Sequence, residues 1–547
     1  MARLKTLNEN VMAVQQRRAW IETQALPCNI ADLIAQAADE AGDRLAWNFF
    51  ESGERISYNA LRRSVNGIAQ SLNALGVRKG THVAVMMPNV AAMPLSWLAL
   101  GTLGAVMVPV NVNYLERELA YVINDSDTEY VLVHRQCLAV LEQCIASGKV
   151  RIDAARIIVV DAPQGSKYRD WATLAESPSD SYTPPESVGL DDLLNIQYTS
   201  GTTGFPKGSM LTQRYWIVSG KVNAFRDARQ YGRILASTPF YYMDPQWLLL
   251  MTFYHRATLY VAAKQSVSRF MGWVREFGIN FCLFPYLIFK QPESPEDGHN
   301  EVVRANVYGV PRDIHAVIEK RFDLVLREAF GMTEVGSAMF MPIEATDMVG
   351  SGSCGVPSPF RECAVFDTEG NPVAQDEIGE LCIRGAGIML GYYNNPEATE
   401  AAFRNGWFRT GDLFRVDERG YFYIVGRQKD MIRRSSENIA AREVESVLNG
   451  IPVVLESAAV AVPDETRGEE IKAYIVLDTD TTPSEAVLND IIRRCQQQLA
   501  KFKVPRYYTF RASLPKTPSL KIAKRVLQAE ARGLPEPTYD RVTGQWL

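Results

Sequence analysis

Tyr198-Thr199-Ser200-Gly201-Thr202-Thr203-Gly204-Phe205-Pro206-Lys207-Gly208 is the stretch from which the rest of the chain is best read. It follows an apolar run, Leu193 to Gln197, that reads as a buried strand. Four Ser/Thr hydroxyls, three glycines and one lysine lie within it. Glycine lets backbone N–H groups approach an anion closely, hydroxyls add donors, and lysine supplies a point charge. This composition is that of a polyphosphate cradle. It is not a Walker A loop, because Gly204 and Lys207 are not adjacent, as G-x-x-x-x-G-K-[ST] requires. A Gly-rich turn taken alone is more often a plain surface turn. The strand in front and the density of donors favour the phosphate reading here.

Upstream, helix and strand alternate over the first 170 residues or so. Leu61, Val65, Ile68, Leu72 and Leu75 trace one helical face, with Ser57 as N-cap and Gly76 as stop. No charge occurs from Val83 to Leu115, a length that would permit a membrane span. Pro88, Pro94, Gly101, Gly104 and Pro109 divide it, however. It reads instead as a buried strand (Val83 to Met87), a buried helix (Val90 to Leu100) and a second strand (Ala105 to Val110). Further strands are expected near Glu129–Val133 and Arg156–Val160. Alternation of this kind predicts a parallel α/β sheet with helices on its faces.

Downstream, Glu176 to Ser187 and Gln291 to Glu301 read as polar surface connections. From about residue 360 to 425 the texture changes to short strands and Gly turns. A small α/β unit follows, with strands near Ser457–Val462 and Ile471–Leu477.

The whole chain has 547 residues, 47% hydrophobic and 22% charged, with net charge −5. That composition excludes disordered, collagen-like and coiled-coil classes, and mild acidity argues against nucleic-acid or membrane-surface binding as the main task. The eight cysteines form neither C-x-x-C nor a metal pattern with histidine, so they read as reduced and the chain as cytoplasmic. The N-terminal 24 residues have no apolar core and are not a secretory signal. No H-E-x-x-H, G-x-S-x-G or G-x-G-x-x-G after a strand occurs, which leaves metalloprotease, α/β-hydrolase and Rossmann readings unsupported.

The Tyr198–Gly208 stretch resembles the signature loop of the adenylate-forming superfamily, which includes acyl-CoA synthetases, peptide-synthetase adenylation domains and beetle luciferases. Six more blocks of that family follow in order. Arg327-Glu328-Ala329-Phe330-Gly331-Met332-Thr333-Glu334 is similar to its aromatic-G-x-T-E block. Gly379-Glu380-Leu381, Gly391-Tyr392 and Trp407-Phe408-Arg409-Thr410-Gly411-Asp412 resemble its later nucleotide blocks. Gly426-Arg427-Gln428-Lys429-Asp430 resembles its hinge, and Leu514-Pro515-Lys516-Thr517-Pro518-Ser519-Leu520-Lys521-Ile522 its C-terminal lysine motif. The match runs from about residue 30 to 530.

The resemblance implies an α/β fold. A large N-terminal adenylating domain, residues 1–428, has parallel-type sheets covered by helices plus a small β-barrel-like part. A small mobile α+β domain, residues 429–547, carries the catalytic lysine. The activity implied is that of an AMP-forming acid–thiol ligase using ATP, Mg²⁺ and coenzyme A. The alternative is a stand-alone enzyme loading the phosphopantetheine thiol of a separate carrier protein, and a non-enzymatic nucleotide-binding scaffold is a third, weaker reading.

By the same resemblance, Thr199, Ser200, Gly201, Thr202, Thr203, Gly204 and Lys207 hold the β- and γ-phosphates. Glu334, with Thr199, is the Mg²⁺ site, and Thr333 touches phosphate. Phe330 stacks on adenine within the Gly331-Met332 block, and Gly309, Val310 and Pro311 line its other side. Asp412 accepts the ribose hydroxyls and Arg427 reaches ribose or phosphate. Lys521 bridges the attacking carboxylate and the α-phosphate, so Lys521, Glu334 and Lys207 are the catalytic set. Lys429 is the hinge, and Ser435, Ser436 and Glu437 flank the pantetheine tunnel. Leu520 and Ser436 stand where the family commonly has glycine.

Pro239 to Trp247 resembles the segment lining the acid pocket, with Tyr242 where relatives often have His. Tyr242, Asp244 and Trp247 would host a cation through ring quadrupoles and a carboxylate, or surround an aromatic acid. Equally open is a structural reading, with Trp247 in the core and Asp244 capping a helix. The chain is most similar to carboxylate–CoA ligases, among them the carnitine/crotonobetaine type. The expected partners are a small carboxylic acid and CoA, with no nucleic acid and no membrane span; pairing of two copies stays open.

Overall fold

A computed structural model describes residues 2–199, 206–435, 437–517, 521–534 and 536–547, with side chains from residue 13 onward except those of residues 437 and 438. Two large sheets form the body. One has seven strands, of which the core is parallel: Arg169–Asp170, Ile157–Val160, Tyr130–His134, His82–Met86, Val106–Pro109 and Leu193–Thr199, closed by antiparallel Lys207–Thr212. The other has nine strands. Its centre runs parallel through Leu326–Met332, Arg304–Val307, Phe281–Leu283, Arg233–Ala236, Thr258–Val261 and Leu45–Phe49, and antiparallel strands close both edges.

The apolar runs of the sequence explain this layering. Every residue of the Ala92–Leu103 helix is buried, because the helix lies in a cluster that joins residues of both sheets. The Gln213–Phe225 and Met243–His255 helices belong to the same layer and are largely buried, polar residues such as Gln213, Lys221 and Gln246 included. The outer face of the seven-stranded sheet is covered by Glu116–Asp125 and Leu138–Ala146. That of the nine-stranded sheet is covered by Phe270–Glu276 and Arg312–Phe322. Among the described residues no helix is long and apolar enough to cross a membrane.

Local signals work as read. Ser57 accepts the N–H of Ala60 to start the Tyr58–Ala74 helix. Gly76, at φ +99°, ends it, and a Cβ there would sit 2.9 Å from the Tyr130 hydroxyl. The changed texture after residue 360 is a five-stranded antiparallel sheet that includes Gly379–Arg384, Trp407–Val416 and Phe422–Arg427. From Met431 on, the chain builds a further mixed sheet around Val454–Asp464 and Gly468–Leu477, longer strands than the sequence suggests.

Candidate active site

In open α/β sheets ligands collect outside the carboxyl ends of the strands. Here those ends face one cleft of about 2430 Å³. The seven-stranded sheet delivers Thr199 and Lys207. The nine-stranded sheet delivers Asp244 after Arg233–Ala236, Tyr308 and Gly309 after Arg304–Val307, and Phe330 to Glu334 at the end of Leu326–Met332. The five-stranded sheet adds Asp412 and Arg427, and the C-terminal part adds Lys521.

Thr199 and Lys207 are direct antiparallel partners, so the two strands meet where the segment between them begins and ends. Ser200, Gly201, Thr202, Thr203 and Gly204 lie outside the described residues. The Lys207–Thr212 strand is the sheet's edge, and an uncovered edge leaves N–H and C=O groups unpaired. The Leu390–Tyr393 segment covers it: Met210 N–H donates to Gly391 O, Leu390 N–H to Met210 O and Tyr393 N–H to Gly208 O. This pairing carries Tyr392 into the site, a residue the sequence reading quoted within a block but gave no role. The Lys207 ammonium lies 4.3 Å from its ring centroid.

Glu334 is buried in the turn after Leu326–Met332. Its Oε1 accepts the Tyr392 hydroxyl at 3.1 Å. Burial pushes its carboxyl above the usual range, opposed by that hydrogen bond and by the charges of Lys207 and Arg427. Gly331 is needed for close approach, since a Cβ there would stand 2.6 Å from Gly336 O.

Asp412 and Arg427 are register partners across two antiparallel strands, with Arg427 Nε donating to Asp412 Oδ1 at 3.1 Å. Asp412 is buried, which raises its pKa, and Arg427 draws it back down.

Phe330 borders the cleft, edge-on to Phe414 at 5.1 Å. Gly309 shares that cleft, at φ +77°, where a Cβ would meet Arg442 Nη2 at 3.0 Å. Val310 and Pro311 do not line it: Val310 is packed in the outer core and Pro311 precedes the Arg312–Phe322 helix. Instead the N–H groups of Gly309 and Val310 donate to the two oxygens of Glu328 at 2.9 and 2.7 Å. Burial pushes the Glu328 carboxyl up to about 7, against these two donors and the Arg442 charge. In sequence Glu328 stands beside a second charge, Arg327, in the strand Leu326–Met332.

Lys521 is held by a tight chain reversal. Thr517 N–H donates to Lys521 O at 2.7 Å and Ala523 N–H to Pro515 O at 2.8 Å. Its side chain enters the cleft with no ion-pair partner among the described residues. Burial and then Arg427 push its ammonium down, while Glu334, Asp244 and Asp412 pull it up. Leu520 lies outside the described residues. Lys429 sits in the single turn Gln428–Asp430, between the last strand of the five-stranded sheet and the first of the C-terminal one. Ser435 has φ +57° and donates its N–H to Arg467 O. Ser436 and the Glu437 side chain fall outside the described residues.

Tyr242, Asp244 and Trp247 all border the cleft. Trp247 is also a core residue, 4% exposed, with its ring edge-on to Phe281. Asp244 is not a helix cap: the helix begins at Met243, Tyr242 holds the cap position without a side-chain bond, and Asp244 accepts the Trp247 indole N–H at 3.1 Å. Asn111 donates to the Tyr242 hydroxyl.

A family model described as AMP-binding enzyme matches residues 34–393, and one for the AMP-binding enzyme C-terminal domain matches 443–521. A sulfoacetate–CoA ligase from Cupriavidus necator is 31% identical, covering 90% of this chain and 96% of its own. A crotonobetaine/carnitine–CoA ligase from Salmonella paratyphi A is 31% identical, covering 91% and 99%. Among solved structures, the anthranilate CoA ligase AuaEII in complex with anthranoyl-AMP superposes with a TM-score of 0.84 at 22% identity, covering 94% and 99%, a likeness of fold. ATP-bound MatB from Rhodopseudomonas palustris gives 0.80 at 26%, covering 93% and 100%. With the cleft lined as described and the match spanning both parts of the molecule, the chain belongs to the AMP-binding enzyme family.

Proposed function

We propose that this protein is an AMP-forming carboxylate–CoA ligase. It joins a carboxylic acid to ATP as an acyl-adenylate, releasing pyrophosphate, and then passes the acyl group to the thiol of coenzyme A, releasing AMP. The observation that carries the reading is the convergence of Lys207, Glu334, Asp412 and Arg427 from three sheets, and of Lys521 from the C-terminal part, on one cleft.

The first half-reaction joins two anions, so the site must neutralise charge before a carboxylate oxygen can approach the α-phosphorus. Lys207, with the loop that starts at Thr199, holds the β- and γ-phosphates, and Thr333 adds a hydroxyl. Glu334 and Thr199 fit a magnesium ion by their chemistry: a carboxylate and a hydroxyl leave the other positions to phosphate oxygens and water. Glu334 is buried without an ion-pair partner among the described residues, which a divalent cation would relieve. A magnesium ion bound there supplies neutralisation of phosphate charge. Asp412, steered by Arg427, accepts the ribose hydroxyls, and Phe330 and Gly309 flank the base. Lys521 bridges the attacking carboxylate and the α-phosphate.

The reading places the domain boundary between Gln428 and Lys429, giving domains 1–428 and 429–547, with Lys429 as the hinge between half-reactions and Ser435 to Glu437 beside the thiol's path. Its support is the position of Lys429 between two sheets. The test is a carboxylic-acid panel scored for pyrophosphate and AMP release with and without CoA. CoA-dependent AMP release with one acid class is the expected result. Absence of nucleotide turnover with every acid would contradict it.

A further inference from the structure

Asp244 is a carboxylate without a countercharge. It stands in the first turn of the Met243–His255 helix and borders the cleft. The hydrogen bond it accepts comes from a neutral donor, the Trp247 indole N–H. It makes no ion pair among the described residues. Desolvation raises its pKa, and the Lys521 charge, felt from beyond ion-pair distance, lowers it. Removing a carboxylate from water without a cation is unfavourable, so an acid kept at a cleft wall points to a charge that arrives with a ligand.

Aromatic residues share that cleft. Tyr242, Trp247 and Tyr308 all border it, and Tyr308 as a residue is 46% exposed. Asp244 is the foremost charge acting on the Tyr308 phenol, which places that hydroxyl in its neighbourhood. Ring faces attract cations through their quadrupoles, most strongly where water is displaced. Lys521, which borders the same cleft without an ion-pair partner among the described residues, has the opposite sign. Among its charged groups the cleft therefore offers a carboxylate hydrogen-bonded to an aromatic ring and, apart from it, a lysine ammonium.

Resting on the ligase reading above, we propose that the acid this enzyme activates is a zwitterion, an aliphatic carboxylate bearing an ammonium group that Asp244 and the Tyr242, Trp247 and Tyr308 rings receive. Its carboxylate faces Lys521 and the α-phosphate, and its cation lies a few bonds away against Asp244. A second anionic substituent in that position would meet the Asp244 carboxylate and is disfavoured.

The test compares acids of one shape and different charge. 4-(Trimethylammonio)butanoate, its neutral isostere 5,5-dimethylhexanoate, 4-aminobutanoate and the dianion pentanedioate are assayed for ATP-dependent pyrophosphate release by the full-length protein. The expected result is a kcat/KM at least tenfold higher for an ammonium acid than for the neutral isostere, with the dianion lowest. In Asp244→Asn that preference collapses toward one, and Asp244→Glu restores part of it. Equal use of charged and neutral acids by the natural protein overturns the proposal, whether or not the variants fold. So does a loss in Asp244→Asn that is the same for both acids, which marks a structural role. Turnover with aryl or long aliphatic acids alone overturns this proposal and leaves the ligase reading standing. No turnover with any acid removes the ligase reading itself.

Discussion

The ammonium of Lys207 lies 4.3 Å from the centroid of the Tyr392 ring, and the hydroxyl at the far end of that ring donates to Glu334. One side chain thus touches both the cation and the buried acid of the site. It is brought there because Leu390–Tyr393 covers the exposed edge strand Lys207–Thr212. The pairing that protects a sheet edge also brings Tyr392 into contact with both Lys207 and Glu334.

Tyr392→Phe keeps the ring and deletes the donor to Glu334. A lost hydrogen bond to a charged group is worth about 1.5–3 kcal/mol, so kcat/KM for MgATP should fall on the order of tenfold or more. Tyr392→Leu, which also removes the ring under Lys207, should lose more. Steady-state pyrophosphate release with varied MgATP checks both, and an unchanged Tyr392→Phe would remove Tyr392 from the site.

Glu328 makes folding stability depend on pH. Its folded pKa, about 7, lies above the ordinary value of 4.5. Between the two, the folded state holds a proton that the unfolded state has released, so stability falls as pH rises from about 4.5 to 7 and then levels off. The full shift corresponds to roughly 3 kcal/mol. Thermal melts across that range should flatten in Glu328→Gln, and a pH profile identical to that of the natural protein would contradict the assignment.

Asp412→Asn keeps the shape beside Arg427 but removes the charge. ATP affinity should drop about tenfold or more, through loss of charge-assisted hydrogen bonds of about 1.5–3 kcal/mol. Nucleotide titration by calorimetry measures this, and an unaltered affinity would place the ribose elsewhere.

Lys429→Pro fixes φ in the turn Gln428–Asp430. A hinge there absorbs backbone rotation between half-reactions. The thiol step should slow more than adenylation. Single-turnover measurement of each step decides, and equal loss in both would argue against a hinge.

The layered α/β body was open to sequence reading because its helices and strands are buried all round. Ala92–Leu103 shows no polar face, and the prolines and glycines around it mark where each element stops. Thr199, Lys207, Glu334, Asp412 and Lys521 were singled out because their blocks are dense in chemistry-bearing residues, and all five border one cleft. What escaped depends on pairings distant in sequence. Nothing in Gly391-Tyr392 says that it covers Lys207–Thr212. Arg442 reaches Gly309 only once the C-terminal part is docked. Val310 and Pro311 were placed beside the base by their nearness to Gly309, but the strand end turns Val310 into the core and starts a helix after Pro311. Asp244 was read as a helix cap or a cation ligand, and the helix start at Met243 excludes the cap.

The central claim is that Lys521, carried in by the C-terminal part, completes an adenylating site. Carboxylate-dependent exchange of labelled pyrophosphate into ATP by Lys521→Ala tests it most directly. The account predicts a fall on the order of 10²–10³ in exchange, as for loss of one preorganised charge-stabilising group, with ATP binding still measurable. Exchange at close to the natural rate would contradict it.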